Sequence, residues 1–387
     1  MPRLESLINY APPIDYGGTS PEIIYSLETL REIRDNFCQE LQIAATAHLN
    51  KTGNSTSLPF YTDRFNLPPY PQVQEGELFQ VLVLGGTDQV QAICRKSAGD
   101  IEIVEHSVKH PLPKMSTMDQ LKQYLQDTID PRVNVVAVNL ANTFIQDFNG
   151  VKLDGIIPEF DDSRSLAVPE LIGKTLGNEI ESIINQTRTK PVSVSVAGDG
   201  YCQILTAHPQ YPLENIAFGV VGTGYNMGFL LDKETFVNLD AATFNRFPMD
   251  NLTKELGEKF GWPFGKAVNG THLYKHFNAA LERKKIEFPA VNSTIELSVV
   301  SQNGIPEVSE IAQAYINRAA QLVACQASGL AEFKHRNMVF VMDGSVFWKG
   351  NNFAQTVIET SQKLTDKKIQ FIQIPNVAII GGAKLVV

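Results

Sequence analysis

Twice in this chain a run of β-forming residues meets a glycine turn and returns as a second run: FQVLVLGGTDQVQAICRKS, beginning at Phe79, and IAFGVVGTGYNMGFLLD, from Ile216 to Asp232. Each pattern reads as a hairpin, and two hairpins of one plan point to two lobes of related topology, each presenting one glycine turn. Without a Cβ, and with positive φ accessible, a glycine turn brings backbone N–H groups close to phosphate oxygens. Gly85, Gly86 and Thr87 form the first candidate phosphate turn, and Gly222, Thr223 and Gly224 the second, each threonine adding a hydroxyl donor. Taken singly, either also reads as an ordinary hairpin turn. Their pairing points to one triphosphate gripped by two turns.

Between and beyond the hairpins, apolar spacing predicts helices over residues 22–48, 116–129, 168–184, 307–327 and 354–364. Strands are expected over Val133–Leu140, over Val192–Val196 and in MVFVMDGSVFWKG, with a terminal run VAIIGGAKLVV. Residues 50–76, rich in Thr, Ser, Pro and Asn, read as an extended connection. The alternation of strands and helices makes the fold α/β, and 387 residues suffice for two domains. The division expected is an N-terminal helix and connection over residues 1–75, with that helix packed on the large lobe. A small lobe over 76–197 would hold the first hairpin, and a large lobe over 198–387 the second.

A net charge of −9 argues against polyanions, because nucleic acid and anionic membrane both require clustered Lys and Arg. No apolar run suits a signal peptide or a membrane span, so a cytoplasmic location is expected. Cys38, Cys94, Cys202 and Cys325 lack metal-ligand spacing and read as reduced packing thiols.

Asp199, in Ala-Gly-Asp-Gly at the end of a predicted strand, has the placement of a cleft-facing carboxylate in an α/β fold. It reads either as a general base that takes the proton of an attacking hydroxyl, or as a turn aspartate holding its own backbone. Gly222, Gly224 and Gly228 also mimic a dinucleotide fingerprint. That motif must open a helix, whereas Phe229-Leu230-Leu231 continues as strand, so a nicotinamide enzyme is an outside reading.

VLVLGGT, VAGDG, VVGTGYN, FGKAVNG and VMDGS, in this order, resemble the first phosphate loop, catalytic-aspartate segment, second phosphate loop, sugar-lobe helix and adenosine-side turn of hexokinases. The resemblance implies the actin-like ATPase fold, with two ribonuclease-H-like lobes closing on ATP, Mg2+ and a hexose across a cleft. It assigns Asp199 as base and Gly85, Gly86, Thr87, Asp88, Gly222, Thr223 and Gly224 to phosphate. Asp343, Gly344, Ser345, Gly381 and Gly382 fall to the nucleotide, while Asn139, Asp161, Asp162, Gly198, Asn226, Asp240 and Gly265 fall to the sugar side.

The chain departs from the family where Val83 replaces the aspartate ahead of the first glycine pair; Asp88 reads either as a substitute magnesium contact through water or as a solvated turn aspartate. Gly198 stands in place of an asparagine, Gly265 in place of a glutamate, Asp240 in place of a longer acid, and Asp161-Asp162 in place of a Thr-Lys pair. The function implied is ATP-dependent phosphorylation of a hexose hydroxyl. The alternative is a hexokinase-like regulatory protein that binds sugar or nucleotide with little or no turnover.

Overall fold

A side chain on Ser26 that accepts from the Thr29 N–H starts α1 (Leu27–Asn50), and Lys51 in the left-handed region ends it. The helix buries Leu30, Ile33, Phe37 and Leu41, the face that the apolar spacing predicts. The computed structural model describes residues 24–68, 71–86, 88–142, 144–159 and 164–387.

The stretch expected to be an extended connection carries β1 (Tyr61–Arg64) before β2 (Leu78–Leu84) begins. β2 turns through the glycine pair into β3 (Asp88–Ser97), antiparallel from Leu78↔Arg95 to Leu84↔Gln89, and β4 (Asp100–His106) and β5 (His110–Pro111) pair with β3. Thr117 caps α2 (Met118–Thr128), which leads to β6 (Val135–Leu140) and a small hairpin of β7 (Ile145–Phe148) and β8 (Leu153–Ile156). α3 (Leu176–Asn185) starts later than its apolar spacing predicts. Pro169–Leu171 makes only a 3-10 turn, while the carboxylate of buried Asp154 accepts from the Gly177 and Asn178 N–H groups at 2.7 and 3.1 Å and fixes the helix start there.

β9 (Ser193–Gly198) runs straight into α4 (Asp199–Ala207), and the second expected hairpin follows as β10 (Ile216–Val221) and β11 (Tyr225–Leu230), then β12 (Thr235–Asn238). The next four helices, α5 (Asn251–Phe260), α6 (Pro263–Val268), α7 (Leu273–Lys284) and α8 (Thr294–Asn303), include the expected FGKAVNG helix as α6. The chain closes with α9 (Pro306–Lys334), β13 (Met338–Asp343), α10 (Ser345–Lys349), α11 (Phe353–Leu364), β14 (Ile369–Ile372) and α12 (Val377–Ala383).

Two compact units result. The unit of the first hairpin takes residues 62–214, 230–236 and 374–387; that of the second takes the described residues up to 61, 215–229 and 237–373. This differs from a division at 197/198: α4 with Asp199 falls with the first hairpin, and so does α12 from the far end of the sequence.

The unit of the first hairpin is built on a five-stranded sheet of order β4-β3-β2-β6-β9, whose last three strands are parallel. Strand alternation sends Leu82, Val136, Val138, Val194 and Val196 to one face, where they join Leu121 and Leu125 of α2 and Ile180 and Ile184 of α3 in one apolar cluster. The other face receives α12, with Gly382 set against Val81 and Asn139. The second sheet has the order β1-β12-β11-β10-β13-β14, in which β10, β13 and β14 are parallel, and these three strands lie in the unit of the second hairpin. α9 is its spine. Ala312, Ala319, Ala324 and Ala327 are fully buried along it, and a Cβ at Gly329 would lie 2.9 Å from the Arg34 carbonyl, so small residues let α1 pack closely.

Candidate functional site

In the unit of the first hairpin, sheet register does the positioning. Leu84 is the partner of Leu140 and Leu140 of Gly198, so the carboxyl ends of β2, β6 and β9 lie in one row. The Gly85-Gly86 turn, Ala141 and Asp199 therefore all leave the same edge of one sheet, the edge at which parallel α/β sheets present their ligand-binding groups. Asp199 is the first residue of α4, exposed, and its Oδ1 accepts from the Gly200 N–H at 2.7 Å. A carboxylate there is favoured by the N–H groups of the first helical turn. Gly198, just before it, has no atom within 4 Å of where a Cβ would stand, so the approach to Asp199 is open on that side.

A cation that the sequence reading missed occupies the same edge. Arg164 donates from Nη1 to the Ala141 carbonyl at 3.1 Å, and the Ser165 N–H donates to Gly86 O at 2.9 Å. A Cβ on Gly86 would sit 2.6 Å from Arg164 Nη1, so the glycine is what admits the guanidinium. Asp88 opens β3 and pairs with Lys109 Nζ at 2.9 Å. Thr87, Asp161 and Asp162 lie outside the described residues.

Three other expected positions in this unit are not on an open surface. Asn139 is only 2% exposed, and its Nδ2 donates to the Ala378 carbonyl of α12 at 2.9 Å, so it anchors that helix. Gly381 and Gly382 are buried in α12: a Cβ at the first would lie 2.4 Å from Cys202 O, and at the second 2.7 Å from Val81 Cγ1. They are glycines because α12 packs backbone-close on α4 and β2.

In the unit of the second hairpin, Gly222, Thr223 and Gly224 form the β10–β11 turn, closed by Gly222 N–H to Gly224 O at 3.0 Å. After Gly224 the chain continues as antiparallel β11, so the helix a dinucleotide fingerprint needs is not formed. Two neighbours brace the turn, the Gly270 N–H donating to Gly222 O at 2.7 Å and Thr271 Oγ1 to Thr223 O at 2.7 Å. Parallel pairing of Val220 with Asp343 brings the Asp343-Gly344-Ser345 turn alongside. Gly344, at φ 106°, would drive a Cβ to 2.2 Å from Val221 O, so only glycine lets the two turns touch.

A polar chain leads away from β11. Asn226 Nδ2 donates to Asn238 Oδ1 at 2.8 Å, and the Asp240 N–H donates to the same oxygen at 3.2 Å. Trp262 Nε1 then donates to Asp240 Oδ2 at 3.3 Å. Beneath it, Phe37, Phe244, Phe247 and Phe264 pack edge-on or stacked at centroid separations of 5.2 to 6.1 Å, which fixes the segment carrying Asp240. Gly265 is buried, and a Cβ there would be 3.0 Å from Ala242 Cβ, a position that crowds any longer side chain. Trp262 is half-exposed and left-handed at φ 54°, a conformation costing a bulky residue about 1–3 kcal/mol.

Asp63, on β1, is a further titrating group. Burial pushes its carboxyl from 3.8 up to about 6, against the lowering effect of the Gln146 N–H. The folded protein then holds a proton that the unfolded chain releases, so stability falls as pH rises from about 4 to about 6 and levels off above. Asp63→Asn is expected to flatten that slope, adding up to about 3 kcal/mol at neutral pH, as read from denaturant midpoints at pH 4.5 and pH 7.5.

The described residues contain no cluster of three or more His, Cys, Asp or Glu side chains fit to hold a metal ion by themselves. A magnesium ion arriving with nucleotide needs less, since it keeps most of its waters and takes one or two carboxylates besides phosphate oxygens. Asp199 is exposed and Asp88 is half-buried at the first edge, the Asp88 carboxylate being paired with Lys109. Burial pushes the Cys94 thiol up to about 12, as befits a packing residue. No helix among the described residues is long and apolar enough to cross a membrane.

Two sheets with parallel strands, each carrying a glycine hairpin, make an α/β fold of the actin-like ATPase architecture. A hexokinase from Schistosoma mansoni, in complex with glucose, superposes with a TM-score of 0.73 over 94% of this chain and 96% of its own, at 15% identity. A ROK hexokinase from Thermus thermophilus gives 0.51 over 79% and 97% at 16% identity. A ROK family glucokinase from Streptomyces griseus, in complex with glucose and AMPPNP, gives 0.51 over 80% and 98% at 12%. No curated protein matches the chain in sequence. Residues 271–387 match the hexokinase family model.

Proposed function

We propose that the protein is an ATP-dependent sugar kinase in which Asp199 takes the proton of the attacking hydroxyl. The observation that carries this reading is the shared row of Leu84, Leu140 and Gly198, which puts the first glycine turn and Asp199 on one sheet edge. Phosphoryl transfer asks little covalent chemistry of a protein and much positioning. The backbone of Gly85 and Gly86, with the Arg164 guanidinium beside it, offers donors to phosphate oxygens, and Arg164 supplies the positive charge that the turn itself lacks. The Gly222–Gly224 turn offers a second set, and the Asp343–Ser345 turn braced against it takes the nucleoside side. ATP would supply the phosphoryl group and magnesium would neutralise its charge. Asn226 and Asp240 stand on the sugar side, in the same hydrogen-bonded chain.

Coupled detection of ADP across a panel of hexoses and amino sugars tests the reading. The expected result is ATP-dependent turnover of at least one sugar. No turnover under conditions where a known hexokinase works would overturn catalysis. Sugar and ATP binding by calorimetry in that case would point to the regulatory alternative, which the buried, side-chain-free Gly265 and the Asp88–Lys109 pair favour.

A further inference from the structure

Resting on the sugar-kinase reading, we infer that Trp262 is the platform on which the sugar ring lies, its indole supplying an apolar face in place of a polar arm at Gly265. The indole is half-exposed, not packed into the core, and its N–H reaches Asp240 Oδ2 at 3.3 Å. Ring face and carboxylate thus present themselves together. A pyranose needs that combination, because it carries a face of C–H bonds edged by hydroxyl groups, the first suited to an aromatic plane and the second to a carboxylate.

The backbone is bent to hold this arrangement. Trp262 and Asp240 are both non-glycine residues in the left-handed region, at φ 54° and 45°. Non-glycine residues held there cluster at binding sites. Asp240 is further oriented by Asn238 Oδ1, which accepts its N–H, and Trp262 precedes Pro263 at the start of α6. Lys266, one helical turn on, places Nζ 5.7 Å from the Trp262 ring and 5.6 Å from that of half-exposed Phe260. The cation therefore flanks the indole and restrains it. Gly265 cannot reach a ligand, and Trp262, three residues earlier, is the side chain of this segment that can.

Calorimetry of the full chain with glucose, mannose, N-acetylglucosamine and the acyclic mannitol, in parallel with ATP-Mg, tests this. Trp262→Ala is expected to weaken binding of the pyranose sugars about 10-fold or more and Trp262→Phe about 3-fold, with ATP-Mg affinity unchanged and mannitol bound least by the wild type. The chain has two tryptophans, so in a Trp348→Phe background the emission of Trp262 should shift and saturate with sugar, a readout that needs no variant at position 262. Sugar binding without that shift, or a Trp262→Ala protein that binds sugar as the wild type does, overturns the inference and leaves the kinase reading standing. A wild type that takes up none of the sugars overturns both.

Discussion

Replacing Asp199 by alanine or asparagine is expected to slow sugar phosphorylation by about 10²- to 10⁴-fold, the usual worth of a positioned general base. The fall should appear in kcat, with sugar and ATP-Mg affinities held close to those of the wild type, because a base acts on the proton in flight more than on the bound ground state. Folding should be nearly untouched. Asp199 is exposed and opens α4, so its loss removes one N-terminal carboxylate, worth about 0.3–1 kcal/mol. Single-turnover phosphorylation measured beside a thermal melt separates the two effects. Full kcat in Asp199→Ala would remove the residue from the mechanism.

Asp250→Ala is expected to cost about 3–5 kcal/mol of stability, the penalty of stranding a buried charge. Asp250 is 3% exposed and Arg318 2%, with Nη1 and Oδ2 at 2.6 Å. His276 approaches the same oxygen at 3.1 Å, and Asp250 also caps α5 by accepting from the Thr253 N–H at 2.7 Å. Burial pushes the Asp250 carboxyl up, but the Arg318 charge and His276 outweigh it and hold the group well below the ordinary carboxylate range. A lowered folded value means that this stability is present above about pH 4 and fades only as the pH drops further. Without the carboxylate, Arg318 is left against the rings of Tyr25 and Tyr315, at 5.8 and 5.9 Å, with no acid to balance its charge among the partners described. The double variant Asp250→Ala/Arg318→Met should recover much of the loss, since an apolar replacement leaves no unpaired ion. Urea midpoints of the two variants give the answer; equal destabilisation by both would mean that the helix cap, and not the ion pair, sets the cost.

Both hairpins were legible because glycine turns between β-formers are local signals, and α1, α2, α9 and α11 because their apolar periods run unbroken. α12 is the instructive failure. Gly-Gly inside VAIIGGAKLVV argues against a helix by propensity, yet the helix forms because only glycine fits between it and Cys202 O on one side and Val81 on the other. α5 and α7 to α8 were passed over since Gly, Pro and charge interrupt their short apolar faces. The site divides in the same way. The placement of Asp199 after β9 was readable from its strand-end motif, whereas Arg164 comes to Gly86 from far along the chain, through the Ser165–Gly86 backbone bond, and no spacing announces that. Trp262 left one trace, the run Gly261-Trp262-Pro263, whose proline marks a helix start just after the tryptophan.

The return of α12 to the unit of the first hairpin sets an order on synthesis. That unit begins at residue 62, yet one of the two helices against β2 and β6 on its second face is made only after residue 373 has been translated. Until then Val81 and Cys202 lack the cover that Gly381 and Gly382 bring. The lobe that begins at residue 62 is thus the one finished last, and the nascent chain has to shield an apolar flank while residues 237–373 of the other lobe are being made.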